Sequence, residues 1–150
     1  MRIYLDNCCY NRPYDNQTQF RVLMEAQAKL YIQDAVKRKR FELVDSFMLQ
    51  KENEDNPDDM RKTAIKSFRE RYSSFYVPHE RMEQLQESIK KALSYGIKYK
   101  DAVHTACAIY ARCDCLLTTD DSFMKRYKGN EIRIMNPLQF IQETEEGASV

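Results

Sequence analysis

Three aspartates occupy positions from which acidic side chains can converge on one site. Asp6 follows a short β-prone run, Asp120 follows a second short apolar run, and Asp101 opens a helical pattern. In an open parallel sheet, ligands bind in the crevice outside the carboxyl ends of the strands. We therefore expect Asp6 and Asp120 to face that crevice, provided that both runs are strands of one sheet.

Carboxylates gathered in this way suit hard divalent cations. Mg²⁺ and Mn²⁺ prefer oxygen ligands, and two such ions about 4 Å apart can activate a water and hold the leaving oxygen during phosphodiester cleavage. Such a site needs three or four Asp or Glu side chains on rigid supports. Glu52, on the short helix predicted after the second strand, is the natural fourth member.

Each acid also has an ordinary structural interpretation. Aspartates at helix starts, such as Asp101 and Asp121, are commonly caps. Asp6 could cap the turn that follows it, and Glu52 lies in an acidic segment that could be solvated. Spacing alone therefore leaves two alternatives, a metal site and a set of unrelated caps.

The polar residues near the acids can likewise be interpreted as functional or as structural. His104 lies three residues after Asp101, on the same helical face. It could ligate a metal, orient a carboxylate or remain a neutral core histidine with one hydrogen bond. Thr118 and Thr119 could hydrogen-bond a carboxylate or a water, or be ordinary strand residues.

The elements that must hold these residues alternate between strand and helix patterns. That alternation, without repeats or an internal linker, predicts one α/β domain over residues 1–150, with a parallel sheet, helices on both faces and a loose tail from about residue 144. Strands are predicted at 2–5, 41–44, 115–118 and 131–135, with a short extended piece at 75–77. Helices are predicted at about 17–37, from 45 or 46, from 56 to 72, at 80–94, from 101, and at 137–143. The first of these helices is expected to bury one apolar face, with Phe20, Leu23, Met24, Ala28, Tyr31 and Ala35.

Composition narrows the classes of function. The net charge of +1 gives no global attraction to nucleic acid, so any polyanion site must be local. The chain has no long apolar run and no cationic start followed by an apolar segment, so we expect a cytosolic protein without a membrane span. Its three glycines are too scattered for a Gly-rich phosphate loop or a dinucleotide fingerprint.

The five cysteines offer a competing metal site. Cys113 and Cys115, joined by Cys8 and Cys9, could be imagined as zinc ligands. Their spacing departs from the usual zinc knuckle, which leaves two to four residues between paired ligands. Buried, reduced cysteines acting as small hydrophobic residues are the favoured interpretation.

Three segments that carry the acids also carry a family resemblance. They are residues 3–13 (IYLDNCCYNRP), 100–106 (KDAVHTA) and 116–120 (LLTTD). In their order and context, the chain resembles PIN-domain proteins of the kind found in bacterial VapC-like ribonucleases. The resemblance covers nearly the whole chain, up to about Gln142. The Asn11–Pro13 segment resembles only a subset of PIN proteins.

The resemblance implies a three-layer α/β/α fold around a central parallel sheet, and a quartet of acids that holds Mg²⁺ or Mn²⁺ for RNA cleavage. By position, the first, third and fourth acids are Asp6, Asp101 and Asp120. The second is a glutamate on the helix after strand two, following a serine, and Ser46 points to Glu52. Two alternatives stay open at this point, namely Glu54 for the second acid and Asp121 for the fourth.

These observations predict a metal-dependent ribonuclease, with Arg12 as one candidate for holding the RNA backbone. A toxin role inside this hypothesis implies an antitoxin-type inhibitor that covers the acidic crevice, and PIN-like proteins often form homodimers. One rival is a catalytically silent PIN-like module that binds RNA or protein. Another is a receiver domain or acyl-phosphate enzyme, which fits poorly because Asn7 and Cys8 follow Asp6.

Overall fold

Five parallel strands form one sheet in a computed structural model of the chain, in the order β3-β2-β1-β4-β5. The structure describes residues 1–149, without the side chains of residues 146–149. The strands are Arg2–Leu5 (β1), Glu42–Ser46 (β2), Ser73–Val77 (β3), Cys115–Leu117 (β4) and Arg133–Met135 (β5).

Helices connect and flank these strands. They are Asn7–Asn11 (α1), Phe20–Lys37 (α2), Phe47–Glu54 (α3), Asp59–Tyr72 (α4), Met82–Leu93 (α5), Tyr99–Tyr110 (α6), Asp121–Arg126 (α7) and Pro137–Ser149 (α8). Two 3₁₀ turns lie at Arg12–Tyr14 and His79–Arg81. Residues 144–149 of the predicted loose tail belong to α8, whereas residue 150 and the side chains of 146–149 lie outside the described part of the chain. No helix in the described part of the chain has the length and apolar character needed to cross a bilayer.

The central strand β1 explains the layered architecture. Its residues Ile3, Tyr4 and Leu5 are each 0% exposed. Because successive side chains of a strand point to opposite faces, both faces of the sheet must be covered. The three-layer α/β/α fold with a parallel sheet is therefore confirmed.

Strand register brings the carboxyl ends of β1, β2 and β4 to one edge. Tyr4 pairs with Val44, and Leu5 pairs with Leu117. The ladder extends one residue further, because the Asp6 backbone N–H donates to the Leu117 carbonyl at 2.9 Å. Side chains that directly follow these strands must therefore lie close together.

Two local predictions are corrected. The segment after Asp6, expected to be a turn, forms α1 and a 3₁₀ turn. The apolar stripe expected on the long helix included Phe20 and Tyr31, which are 76% and 42% exposed. The helix instead buries a neighbouring face that carries Glu25, whose carboxylate finds cationic partners in the folded chain.

Candidate active site

Asp6 is held at the end of β1 by several hydrogen bonds. Its Oδ1 accepts from the Asn7 backbone N–H at 2.7 Å, so it caps α1. Its Oδ2 accepts from the Thr118 hydroxyl at 2.9 Å and from the Cys8 thiol at 3.4 Å. The carboxylate is 5% exposed and therefore has a defined orientation.

Glu52 and Asp6 both lie beside the His104 imidazole in the crevice. Ligand atoms of these three residues all lie within 4.8 Å of one another. The His104 Nε2 is hydrogen-bonded to the Glu52 Oε1 and lies 3.6 Å from the Asp6 Oδ1. Glu54 is exposed on another side of α3, beside Gln50. Among the two alternatives for the second acid, the structure brings Glu52 to Asp6.

Asp101 lies in the first turn of α6, two residues after the helix begins at Tyr99. Burial, together with the negative charges of Asp6, Asp120 and Glu52, raises the pKa of its carboxyl to about 6, against the lowering effect of His104. The four predicted acids therefore share one electrostatic environment, although they come from different elements.

Neighbouring aspartates separate at the start of α7. Asp120 is the N-cap, and its Oδ1 accepts from the Phe123 backbone N–H at 3.2 Å. Asp121 turns away and forms a two-pronged ion pair with Arg21, with both N···O distances at 2.6 Å. That hydrogen bonding lowers the Asp121 pKa. Of the two aspartates, it is Asp120 whose negative charge raises the pKa of Asp101.

His104 is completely buried beneath the acids. Burial by itself lowers the pKa of an imidazole, but the hydrogen bond to Glu52 and the charges of Asp6 and Asp101 outweigh it, so the His104 pKa is raised. Its Nδ1 lies 2.5 Å from the Tyr4 hydroxyl. Both ring nitrogens are therefore engaged.

Tyr4 is the residue at the site that the sequence did not reveal. It is read from the sequence as a strand residue, but its hydroxyl lies under His104 and 2.7 Å from the Ser46 Oγ. The signal that could have pointed to it is its place in β1, two residues before Asp6. A strand buried on both faces leaves a tyrosine hydroxyl in need of a partner.

Arg12 and the cysteines take roles other than the chemical ones considered for them. Arg12 donates to Glu25 at 3.0 Å and to Asp15 at 3.2 Å, so it is committed to these two carboxylates. Within the described residues, the one group of three potential metal ligands contains no cysteine. Burial raises the pKa of the Cys113 and Cys115 thiols to about 12, as expected for inert small side chains.

The donor set fits a hard divalent cation. Two carboxylates and an imidazole are clustered, and the charges of Asp6, Glu52 and Asp120 act on the Asp101 carboxyl and raise its pKa. The ion pairs of the described residues bring no Lys or Arg to these four acids. Gathering four acids around a single imidazole is unfavourable, and a bound cation would relieve the repulsion between them.

A larger cavity lies elsewhere, at the amino-terminal edge of the sheet. Its volume is about 730 Å³, and its apolar floor includes Phe41, Cys115 and Phe140. Arg133 and Glu143, which line this cavity, are paired with each other. The four candidate acids lie apart from it, and none of them has a Lys or Arg partner in the described residues.

Solved structures that resemble this fold include the following two. One is VapBC2 from Rickettsia felis bound to a DNA fragment from their promoter, with 12% sequence identity and a TM-score of 0.58. The other is FitAcB from Neisseria gonorrhoeae, with 17% identity and a TM-score of 0.55. Each match covers 91% of this chain and 98% of the other. No protein-family model and no curated protein matches the sequence.

At such low identity the two likenesses bear on the fold. The five-stranded parallel sheet with helices on both faces has the same arrangement over nearly the full length of the compared chains. The resemblance to VapC-like proteins predicted this arrangement from three short segments of sequence. The chain therefore has the PIN-like α/β/α fold.

Proposed function

We propose that this protein is a metal-dependent ribonuclease whose metal ligands are Asp6, Glu52, Asp101 and Asp120. The observation that supports the proposal best is that Asp6 and Glu52 lie together, that their charges and that of Asp120 act on Asp101, and that no Lys or Arg is paired to any of the four in the described residues. Mg²⁺ and Mn²⁺ both suit such an oxygen-rich set.

The chain's own residues prepare the site for phosphodiester hydrolysis. A bound divalent ion would supply an activated water and charge stabilisation at the leaving oxygen. Thr118 and Cys8 hold the Asp6 carboxylate in place. Lys98 and Arg126 line a small cavity together with Asp101 and Asp120, so their charges stand where an RNA backbone would approach.

The proposal includes a protein partner. VapC-like proteins, which this chain resembles, are paired with antitoxins, and an antitoxin-type inhibitor would cover the acidic crevice. Expression of the intact chain should then arrest growth, and Asp6→Asn should relieve the arrest. Co-expression with the inhibitor should do the same. A homodimer is compatible with this arrangement, and growth unaffected by the intact chain would contradict the toxin role.

The direct test is cleavage of a mixed single-stranded RNA by the purified full chain in Mn²⁺, with an EDTA control. We expect EDTA to abolish cleavage. Because even residues that only support a metal ligand cost up to about 100-fold when lost, Glu52→Gln should lower the rate at least that much. Glu54→Gln is the matched control on the same helix and should cleave like the wild type.

The rival, a catalytically silent module, predicts a different result. Mn²⁺ that binds only the folded chain must raise its melting temperature. A folded protein that shows no such shift and no cleavage would support the silent module and contradict the ribonuclease. A Mn²⁺ shift that Glu52→Gln abolishes, combined with cleavage, would support the metal-carboxylate mechanism.

A further inference from the structure

A continuous line of hydrogen bonds runs from the start of α3 to the second acid. The Leu49 backbone N–H donates to the Ser46 Oγ at 3.2 Å, and the Ser46 Oγ lies 2.7 Å from the Tyr4 hydroxyl. That hydroxyl lies 2.5 Å from the His104 Nδ1, and the His104 Nε2 is hydrogen-bonded to Glu52. Ser46, Tyr4 and His104 are each 0% exposed.

Both ends of this line have a defined polarity. A backbone N–H can only donate, and a carboxylate, the form in which Glu52 would bind a cation, can only accept. If His104 is neutral, its hydrogen must therefore be on Nε2, and Tyr4 donates to Nδ1. If His104 is charged, both ring nitrogens donate. In either state Nε2 presents a hydrogen to Glu52, whereas a bare Nε2 would place its lone pair against a carboxylate.

We infer that Ser46, Tyr4 and His104 form a positioning chain that holds Glu52 in its metal-binding orientation, and that His104 acts as a hydrogen-bond donor and not as a metal ligand. The inference rests on the proposed function. Glu52 needs such support because its long, flexible side chain reaches the crevice from the short helix α3. At 16% exposure it is not fixed by burial alone. The three supporting side chains come from β2, β1 and α6, which are packed elements of the core.

The first test is Tyr4→Phe, which removes one oxygen and keeps the aromatic ring in the core. We expect Mn²⁺ affinity, measured by titration calorimetry, to fall about 10- to 100-fold, as is usual when a group supporting a metal ligand is lost. The rate of RNA cleavage at saturating RNA should fall, while KM for RNA should stay near the wild-type value, because the chain touches no RNA.

Tyr10→Phe is the matched control. Tyr10 is also a fully buried core tyrosine, but its hydroxyl has no hydrogen-bond partner in the described residues. Removing it should leave Mn²⁺ affinity unchanged. A Tyr4→Phe protein that melts at a lower temperature but binds Mn²⁺ like the wild type would overturn the inference, because the chain would then be a structural feature only.

His104 supplies the second test. Glutamine carries an N–H₂ group that can replace the Nε2 hydrogen, so His104→Gln should retain much of the Mn²⁺ affinity that His104→Ala loses. In protein labelled with ¹⁵N-histidine, the electron spin-echo signal of bound Mn²⁺ should show no coupling to imidazole nitrogen. Direct nitrogen coupling, with His104→Gln as weak as His104→Ala, would identify a ligand and overturn the inference.

The wild-type protein separates this inference from the function on which it rests. If the wild type neither binds Mn²⁺ nor cleaves RNA, the proposed function fails and the positioning chain fails with it. A wild type that binds Mn²⁺ and cleaves RNA leaves the proposed function standing. If Tyr4→Phe then binds Mn²⁺ like the wild type, or His104→Gln binds it as weakly as His104→Ala with direct nitrogen coupling, only the positioning chain is overturned.

Discussion

Two regions of this molecule that are rich in acidic residues differ in how far their negative charge is balanced by basic side chains. One is the crevice with Asp6, Glu52, Asp101 and Asp120. The other, which we call the arginine cluster, consists of Asp15, Glu25 and Asp121 with Arg12, Arg21 and Arg61. In the arginine cluster every carboxylate lies within 4 Å of a guanidinium, from 2.6 Å for Arg21–Asp121 to 3.7 Å for Arg61–Asp15.

The difference shows how burial and charge together mark a site. Glu25 is 0% exposed, yet it accepts from Arg12 at 3.0 Å, from Arg21 at 3.2 Å and from the Asn136 amide at 2.5 Å. Its charge is fully compensated, so it serves the fold. The crevice acids have one imidazole between them, and desolvation raises the Asp101 pKa to about 6. That unbalanced charge favours an external cation.

The largest expected effect follows from breaking the arginine cluster at its centre. Glu25→Ala removes the buried acceptor that two guanidinium groups and the Asn136 amide share, and leaving these donors without it should cost about 2–3 kcal/mol of unfolding free energy. Urea denaturation measures this loss. Glu25→Gln, which keeps the shape and one acceptor, should cost less.

The same variant also separates the two regions. If the clusters are independent, Mn²⁺ should still raise the melting temperature of Glu25→Gln by the wild-type amount. Equal stability of Glu25→Ala and wild type would show that the arginine cluster does not support the fold as described.

Removing an acid from the metal-free crevice is expected to have a smaller effect on stability, and of the opposite sign. Burial raises the Asp101 pKa from 3.8 to about 6, so the ionised carboxylate destabilises the folded state above pH 6. Asp101→Asn should therefore stabilise the metal-free protein at pH 8 by about 1–2 kcal/mol, a figure reduced because the carboxyl is partly exposed and screened. The gain should fade as the pH falls from 6 towards 4.

Added Mn²⁺ should reverse that ranking. The wild type gains binding free energy that Asp101→Asn cannot, so the wild type becomes the more stable protein at pH 8. Denaturation curves at several pH values, with EDTA and with Mn²⁺, measure both effects. A variant that is less stable than the wild type in EDTA at pH 8 would contradict the unbalanced charge inferred for the crevice.

The smallest change in stability is expected from the adjacent pair at the start of α7. Asn can replace Asp as an N-cap, so Asp120→Asn should leave α7 intact while lowering the Mn²⁺-induced melting shift. Asp121→Asn removes an exposed ion pair with Arg21, and such pairs contribute little. It should leave the Mn²⁺ shift unchanged. An equal loss of the Mn²⁺-induced melting shift in both variants would contradict the difference inferred between the crevice and the arginine cluster.

Much of the candidate site was predictable because parallel strands leave a recognisable pattern. Asp6 and Asp120 directly follow short apolar runs, and Asp101 stands in the first turn of a helix with small side chains. The choice between Glu52 and Glu54 was not predictable from spacing. It depends on how α3 lies against α6, because His104 contacts only one of them.

The arginine cluster illustrates what local patterns cannot give. The helical periodicity of α2 predicted Phe20 and Tyr31 inside, and both are exposed. The buried face includes Glu25 because Arg12 lies in the preceding 3₁₀ turn and Asn136 comes from a segment 111 residues away. Desolvating a carboxylate is costly, so only partners assembled by the tertiary structure make this face the favoured one.

The sequence by itself determined the alternation of strands and helices, the parallel sheet and the candidate acids next to strand ends and helix starts, because these depend on periodicity and local position. It left open Glu52 against Glu54 and Asp120 against Asp121. The tertiary structure decided which acids acquire a counterion and which do not. Adjacent aspartates make the point, since Asp121 meets Arg21 and Asp120 faces Asp101. Pairing of charges depends on contacts between distant segments, and no local pattern encodes these.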